Sequence, residues 1–217
     1  MKIAAFFDLD RTVIDVNSGM LWARHELREG NISRAQFAKA ALWTVLYHLS
    51  LIDMDSVFAQ AVGHYRGVRF EALEVRTRAW YQREVEPLVR PKALEAIADH
   101  RQRGHLLVLL TNSSCFEANA AADALGFDHW IANTFPVDDE GRLLGTHDRP
   151  MCYGPGKVIR AERWARERDV DLARSSFYTD SYSDLPMLLR VGDPKVVTPD
   201  PRLRWAARRR GWPVLEW

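Results

Sequence analysis

The chain has 217 residues, enough for one large domain or for a core domain with a smaller insertion. Its 30 Lys and Arg residues nearly balance 29 Asp and Glu residues, and this net charge of +1 excludes an overall field that would attract nucleic acid or an anionic membrane. Two cysteines are too few for a disulfide scaffold, and the longest apolar-rich stretch, at 40–52, is too short for a membrane span, so we expect a cytoplasmic protein.

The first predicted element is a strand that ends in two acids. Residues 3–7 form a continuous apolar run of the kind found in parallel strands that are covered on both faces. Asp8 and Asp10 follow it with one residue between them. Residues two apart on a strand point the same way, roughly 6–7 Å apart, so the two acids share a site. Their repulsion requires a bound cation, a neighbouring Lys or Arg, or a proton held by one of them.

A long helical region comes next. Asn17 or Ser18 can cap a first helix, and Ser33 with Gln36 forms a capping box before a second. Further helices are predicted over 57–65 and 70–83. This is too much helix for a simple crossover between strands. We therefore predict an inserted helical cap over 17–88 and a catalytic core made of 1–16 and 89–217.

The rest of the chain alternates helices with strands. A helix begins at Pro91 and ends before Gly104, which is the usual placement of these two residues. The elements that follow are a strand at 105–110, a helix at 115–124, a strand at 129–132, a hairpin at 139–141, a helix from 156, a strand at 176–179, a helix near 186 and a strand at 195–197. This order predicts an α/β fold: a Rossmann-like, doubly wound parallel sheet with an inserted α-helical cap.

Three of these strands end in polar residues, which a parallel sheet would bring to one edge. The clusters are Asp8 and Asp10, the Thr-Asn-Ser-Ser run at 111–114, and the stretch 180–184 with an acid at each end. Each cluster also has a local explanation, because such residues form turns and cap helices. Lys157 adds an independent signal, since the first turn of a helix disfavours a cation unless an anion lies nearby.

Together these residues predict a phosphoryl-transfer site. Carboxylates from Asp8 and Asp180, with a backbone carbonyl near Asp10, suit Mg²⁺. Asp8 can then attack phosphorus as a nucleophile while Asp10 carries the proton to and from the oxygens. Thr111 and the N–H groups after it can hold phosphate oxygens, and Lys157 can neutralise their charge. Asp184 is expected to orient Lys157 or a metal-bound water.

The motif DLDRT at 8–12 resembles the DxDxT signature of haloacid dehalogenase superfamily phosphatases. The later motifs of that superfamily are matched in order and spacing by Thr111, Lys157 and the acids at 180 and 184. A helical cap after the first motif is similar to the arrangement in the branch that contains phosphoserine phosphatases. Two departures are Thr179 before Asp180, where Gly is usual, and TNSS at 111–114, where Ser-Gly is commoner. The predicted site is catalytic Asp8, Asp10, Thr111 and Lys157; phosphate-binding Thr12, Thr111, Asn112 and Lys157; and metal-binding Asp8, Asp10, Asp180 and Asp184.

The resemblance implies a Mg²⁺-dependent hydrolase of small phosphate monoesters, such as phosphoserine-like, sugar, histidinol or lipid-type alcohol phosphates, acting through an aspartyl phosphate. Two alternatives stay open: a phosphotransferase with the same chemistry, and a non-catalytic phosphate-binding or receiver-like module. An apolar cap helix with Trp43 and Tyr47 forms either a lid for a bulky alcohol or simply core. The arginines between 202 and 210 are expected to lie on a solvated face rather than to bind nucleic acid.

Overall fold

The strands pair side by side in one parallel sheet. In the computed structural model, which describes residues 1–48 and 54–217, they run in the order β3-β2-β1-β4-β5-β6. Their bounds are β1 Ala4–Phe7, β2 Leu106–Ser114, β3 His129–Asn133, β4 Ser176–Thr179, β5 Asp193–Val197 and β6 Val214–Leu215. The first strand lies between β2 and β4, so its carboxyl end is at the centre of the sheet edge. The predicted Rossmann-like parallel sheet is confirmed.

The helices flank this sheet and build the segment between β1 and α5. Their bounds are α1 Ser18–Arg28, α2 Arg34–His48, α3 Met54–Gly63, α4 Phe70–Trp80, α5 Pro91–Gln102, α6 Cys115–Leu125, α7 Pro155–Glu167, α8 Leu185–Leu188 and α9 Pro201–Arg210. A π-helical turn, Tyr81–Val85, and a 3-10 turn, Glu86–Leu88, continue α4 towards the core. None of the helices in the described part of the chain is both long enough and apolar enough to cross a membrane.

Local signals placed the starts of α1 and α2 correctly, whereas the helix predicted over 57–65 begins three residues earlier, at Met54. Ser33 and Gln36 form the predicted capping box, with the Ser33 N–H donating to Gln36 Oε1 over 2.6 Å and the Gln36 N–H donating to Ser33 Oγ over 3.2 Å. Asn17 caps α1 by accepting from the Met20 N–H. The side chains of Trp43 and Tyr47, predicted to form a lid or core, lie outside the described part of the structure.

The second strand differs from its prediction. It continues to Ser114, four residues beyond the predicted end at 110, so the polar run lies within the strand rather than after it. The N-cap of α6 is Ser114, whose Oγ accepts from the Glu117 N–H over 3.3 Å. Helix capping therefore does not account for Thr111, Asn112 or Ser113.

Apolar side chains cover both faces of the sheet. Phe6 points to one face, among Val108, Leu110 and Phe177, while Phe7 points to the other and stacks on Tyr178 with ring centroids 4.5 Å apart. Both phenylalanines are fully buried, and burial of such a side chain contributes about 1.5–3 kcal/mol. This packing fixes β1, and therefore the position of Asp8 at its carboxyl end.

The predicted cap leaves the core and returns to it at adjacent points. The Asp15 N–H donates to the Leu88 carbonyl over 3.0 Å, and the Arg90 N–H donates to the Val13 carbonyl over 2.9 Å. Trp80, at the end of α4, packs in the same cluster as β1. The last turns before residue 88 are thus anchored on the core, although they belong to the predicted cap.

Candidate active site

Lys157 joins two acids at the edge of the sheet. Its Nζ lies 2.7 Å from Asp8 Oδ1 and 2.8 Å from Asp184 Oδ2. Asp8 directly follows β1, and its N–H donates to the Tyr178 carbonyl of β4, which holds its backbone in the sheet. Lys157 lies in the first turn of α7 and is 2% exposed. A buried lysine requires such partners, because an unpaired buried charge is costly.

Asp180 and Thr12 are paired beside this ion pair. The Asp180 N–H donates to Thr12 Oγ1 over 3.1 Å, and that hydroxyl lies 3.5 Å from Asp180 Oδ1. Asp184 is held further by the Thr179 hydroxyl, which donates to its Oδ2 over 2.7 Å. Thr179 stands where the resembled family usually has Gly, and here its side chain fixes the acid that holds Lys157.

Asp10 lies on the turn that follows Asp8 and is directed towards α1. Its Oδ1 accepts from the Ser18 N–H over 2.9 Å. Arg11 takes a left-handed conformation, with φ 55°, and this turns the chain between Asp10 and Thr12. Asp10 therefore occupies a different environment from Asp8, although both line one cleft.

Thr111 and Asn112 lie on the carboxyl-terminal end of β2 and line the same cleft. Asn133, fully buried at the end of β3, donates from Nδ2 to the Asn112 carbonyl over 2.6 Å and accepts at Oδ1 from the Cys152 N–H over 2.7 Å. It thereby ties the predicted phosphate-binding segment to the loop before α7. Sequence reasoning missed Asn133, because a single Asn at a strand end has no distinguishing pattern.

Burial, and after it the neighbouring carboxylates, raise the pKa values of the acids at this edge of the sheet. Burial, and then the nearby Asp184, raise the pKa of Asp180 to about 7. Burial also raises the pKa of Asp8 well above its usual range, against the opposing effect of Lys157. Burial alone would lower the pKa of Lys157, but Asp184 and Asp8 outweigh it and keep the ammonium charged. The protein's own groups thus leave an excess of negative charge at this edge.

The donor set fits a divalent cation with oxygen ligands. Asp184 Oδ1 is buried and has no hydrogen-bond partner among the described residues. No group of three or more His, Cys, Asp or Glu side chains in that part of the chain is arranged to hold a metal by itself. Mg²⁺ commonly binds through one or two carboxylates and keeps several waters, so the acids present match its usual site.

A cleft of about 1310 Å³ lies over these residues. The core side contributes the acids, Lys157 and Thr111. The opposite side comes from helices α1 to α3 and the turn after α3, and it includes Trp22, Gln36, His64 and Tyr65. All the predicted catalytic residues line this cleft, as do Asn112, Asp180 and Asp184, whereas Thr12 is buried behind it.

A further acid, Glu117, was not predicted. Burial, and then the Asp10 carboxylate, raise the pKa of Glu117 to about 8, while the hydroxyls of Ser18 and Ser113 act in the opposite direction. The sequence Ser-x-x-Glu at 114–117 reads as an ordinary helix start, so it gave no reason to assign this carboxylate to a site.

Known proteins resemble the chain over nearly all its length. A probable phosphatase of Mycobacterium tuberculosis is 33% identical over 99% of this chain and 75% of its own length, and a histidinol-phosphatase of Neisseria meningitidis is 26% identical over 99% of both. A Bordetella pertussis protein of unknown function superposes with a TM-score of 0.90 at 27% identity, over 99% of this chain and 98% of that one. A substrate-bound phosphoserine phosphatase, 18% identical, shares the fold with a TM-score of 0.70 over 94% of this chain and 90% of its own.

The fold and these relatives define an α/β enzyme of the phosphatase class. Residues 5–189 match the haloacid dehalogenase-like hydrolases, and the chain belongs to that family. The receiver-like and non-catalytic alternatives are therefore wrong.

Proposed function

We propose that the chain is a Mg²⁺-dependent phosphate monoester hydrolase in which Asp8 becomes phosphorylated. The observation that carries the proposal is the contact between the Lys157 ammonium and one oxygen of Asp8, within a cleft that also contains Asp10, Thr111 and Asp180. Asp8, Asp180 and the Asp10 carbonyl would hold the cation, with Asp184 behind them. When bound, Mg²⁺ would neutralise charge on the phosphate and on the neighbouring carboxylates.

In the first step, an oxygen of Asp8 forms a bond to phosphorus as the bond from phosphorus to the alcohol oxygen breaks. Asp10, protonated at this stage, gives its proton to the leaving oxygen. Burial raises the pKa of Asp10, although the Ser18 hydrogen bonds oppose that shift, and this direction favours the protonated form that a general acid needs. Lys157 and Thr111 stabilise the charge on the transferring phosphoryl oxygens.

In the second step, water attacks the phosphorus of the aspartyl phosphate. Asp10 takes the proton of that water, the bond from phosphorus to Asp8 breaks, and inorganic phosphate leaves. The two acids need different environments for these roles. Asp8 contacts the Lys157 ammonium, which opposes the effect of burial and favours the carboxylate that a nucleophile needs. Asp10 instead accepts a hydrogen bond from a backbone N–H of α1, and these contacts support the assignment.

The substrate is a small phosphorylated alcohol, and histidinol phosphate is one candidate, because a 26% identical relative is a histidinol-phosphatase. The test is a phosphate-release screen over amino-acid, sugar, lipid and nucleotide monoesters, with Mg²⁺ and with a chelator. We expect turnover that the chelator removes and that Asp8→Asn abolishes. Asp139→Asn, on an exposed turn away from the cleft, is the matched control. Turnover by Asp8→Asn equal to that of the control would refute the assignment.

A further inference from the structure

A second cavity opens off the cleft beside Asp10. Its volume is about 300 Å³, and it shares Asp10, Asn17, Trp22, Tyr65 and Asn112 with the larger cleft. A general acid must lie within hydrogen-bond reach of the oxygen that it protonates. The leaving oxygen of a substrate would therefore sit at the mouth of this cavity, with its carbon skeleton able to extend inside.

The walls of the cavity are mostly apolar and aromatic. They include Trp22, Phe58, Trp80, Phe116, Phe135 and Leu143. A polyol placed here would lose hydrogen bonds to water without recovering them, so such walls disfavour sugar-like groups. Aromatic faces, by contrast, attract organic cations.

Within the described part of the chain, the ionisable side chains that line the cavity include acids but no bases. Among the described residues that line it, Asp10 and Glu117 are acids, and none is Lys, Arg or His. A carboxylate or second phosphate on the part of the substrate inside the cavity would face these acids with no opposing cation. Electrostatic complementarity therefore favours a cation there.

Glu117 is poised to receive that cation. The residue is 5% exposed, and its Oε1 is buried without a hydrogen-bond partner among the residues described. Its place in the first turn of α6 explains why an acid is tolerated, because helix N-termini favour negative charge. It does not explain the unpaired oxygen, since a buried acceptor without a partner is destabilising.

We propose that this cavity binds the leaving alcohol and that Glu117 pairs with a protonated amine on it, which makes phosphate esters of amino alcohols the preferred substrates. The inference rests on the proposed function. The inference deepens the proposed function by assigning substrate specificity to Glu117, a residue outside the predicted site. It also excludes a carboxylate from the portion of the substrate that enters the cavity.

The test compares ω-aminoalkyl phosphates with n-alkyl phosphates of equal chain length, in which a methyl group replaces the ammonium. The wild-type enzyme should show kcat/KM values about 10- to 100-fold higher for the amines, the range expected of a hydrogen bond to a charged group. Glu117→Gln keeps the shape of the side chain but cannot form the carboxylate that would pair with the ammonium. It should lower that preference at least 10-fold, mainly through KM. The control, Glu95→Gln, changes an exposed residue of α5 and should retain the wild-type preference.

Several results would overturn the inference. One is a ratio near unity between the wild-type kcat/KM values for aminoalkyl and alkyl phosphates. Another is a fall in kcat/KM of Glu117→Gln that is equal for the two series of esters. If Glu117→Gln fails to fold, inhibition of the wild-type enzyme by free amino alcohols and by matching alkanols provides the same comparison, and equal inhibition contradicts the proposal. Mg²⁺-dependent hydrolysis without selectivity would refute this inference alone, whereas no hydrolysis of any ester would refute the proposed function itself.

Discussion

The position of Lys157 depends on the glycine before it. A Cβ atom built on Gly156 would lie 1.9 Å from the Met151 carbonyl oxygen and 3.1 Å from its carbon. Protein Cβ atoms essentially never approach such an atom closer than 3.0 Å, so Gly156→Ala must separate α7 from the preceding loop by about 1 Å. In the wild-type protein the Nζ of Lys157 lies 2.7 Å from Asp8 Oδ1. A shift of about 1 Å would break this hydrogen bond.

We expect Gly156→Ala to lower kcat/KM for a phosphate monoester by about 100-fold, because a misplacement of about 1 Å in a catalytic group costs that much. Overpacking should also reduce the free energy of unfolding by about 1–3 kcal/mol. The matched control is Gly63→Ala at the end of α3, where the nearest atom to a new Cβ is 4.0 Å away. Phosphate release and urea unfolding measure both effects. Activity and stability of Gly156→Ala equal to those of Gly63→Ala would refute the reasoning.

Three further predictions concern pH, packing and the metal. Burial, and then His105, lower the pKa of His100 to about 4, below its unfolded value near 6.5. Between these two pKa values the unfolded chain binds more protons than the folded protein. The free energy of unfolding should therefore fall by about 2 kcal/mol as pH falls from 7.5 to 5 because of His100. Urea unfolding at the two pH values measures this loss, and His100→Gln should lack it. Asn133→Ala leaves buried partners unsatisfied, so its unfolding free energy should fall by about 1–3 kcal/mol; an unchanged urea midpoint would contradict this. Asp184→Asn should raise the Mg²⁺ concentration needed for half-maximal turnover about 10- to 100-fold, and an unaltered Mg²⁺ titration would exclude Asp184 from the metal environment.

Much of the fold was predictable because its signals are local. The apolar run before Asp8, the capping box at Ser33 and the Pro91 helix start depend on neighbours in sequence, and the structure has each of them. The parallel arrangement then follows from the alternation of strands and helices. The short strand β6, Val214–Leu215, was missed, because two residues are too few to show a period.

The less predictable features depend on contacts between distant residues. The continuation of β2 through Thr111 was hidden because its residues are polar, although pairing with β3 includes Ser114 opposite Asn133. The role of Thr179 in holding Asp184 was likewise not visible in the sequence, where it appeared only as a departure from the family pattern. Spacing identified the acids of the site, whereas their hydrogen-bond partners required the fold.

The most direct test of the central claim is to identify the atom that receives the phosphoryl group. Acid quenching during turnover, followed by intact-mass measurement and peptide mapping, detects an aspartyl phosphate. We expect the mass of one phosphoryl group on Asp8 in the presence of Mg²⁺, with more of it in Asp10→Asn, where breakdown is slowed. Phosphorylation of another residue, or turnover with no phosphoenzyme in either protein, would contradict the proposed mechanism.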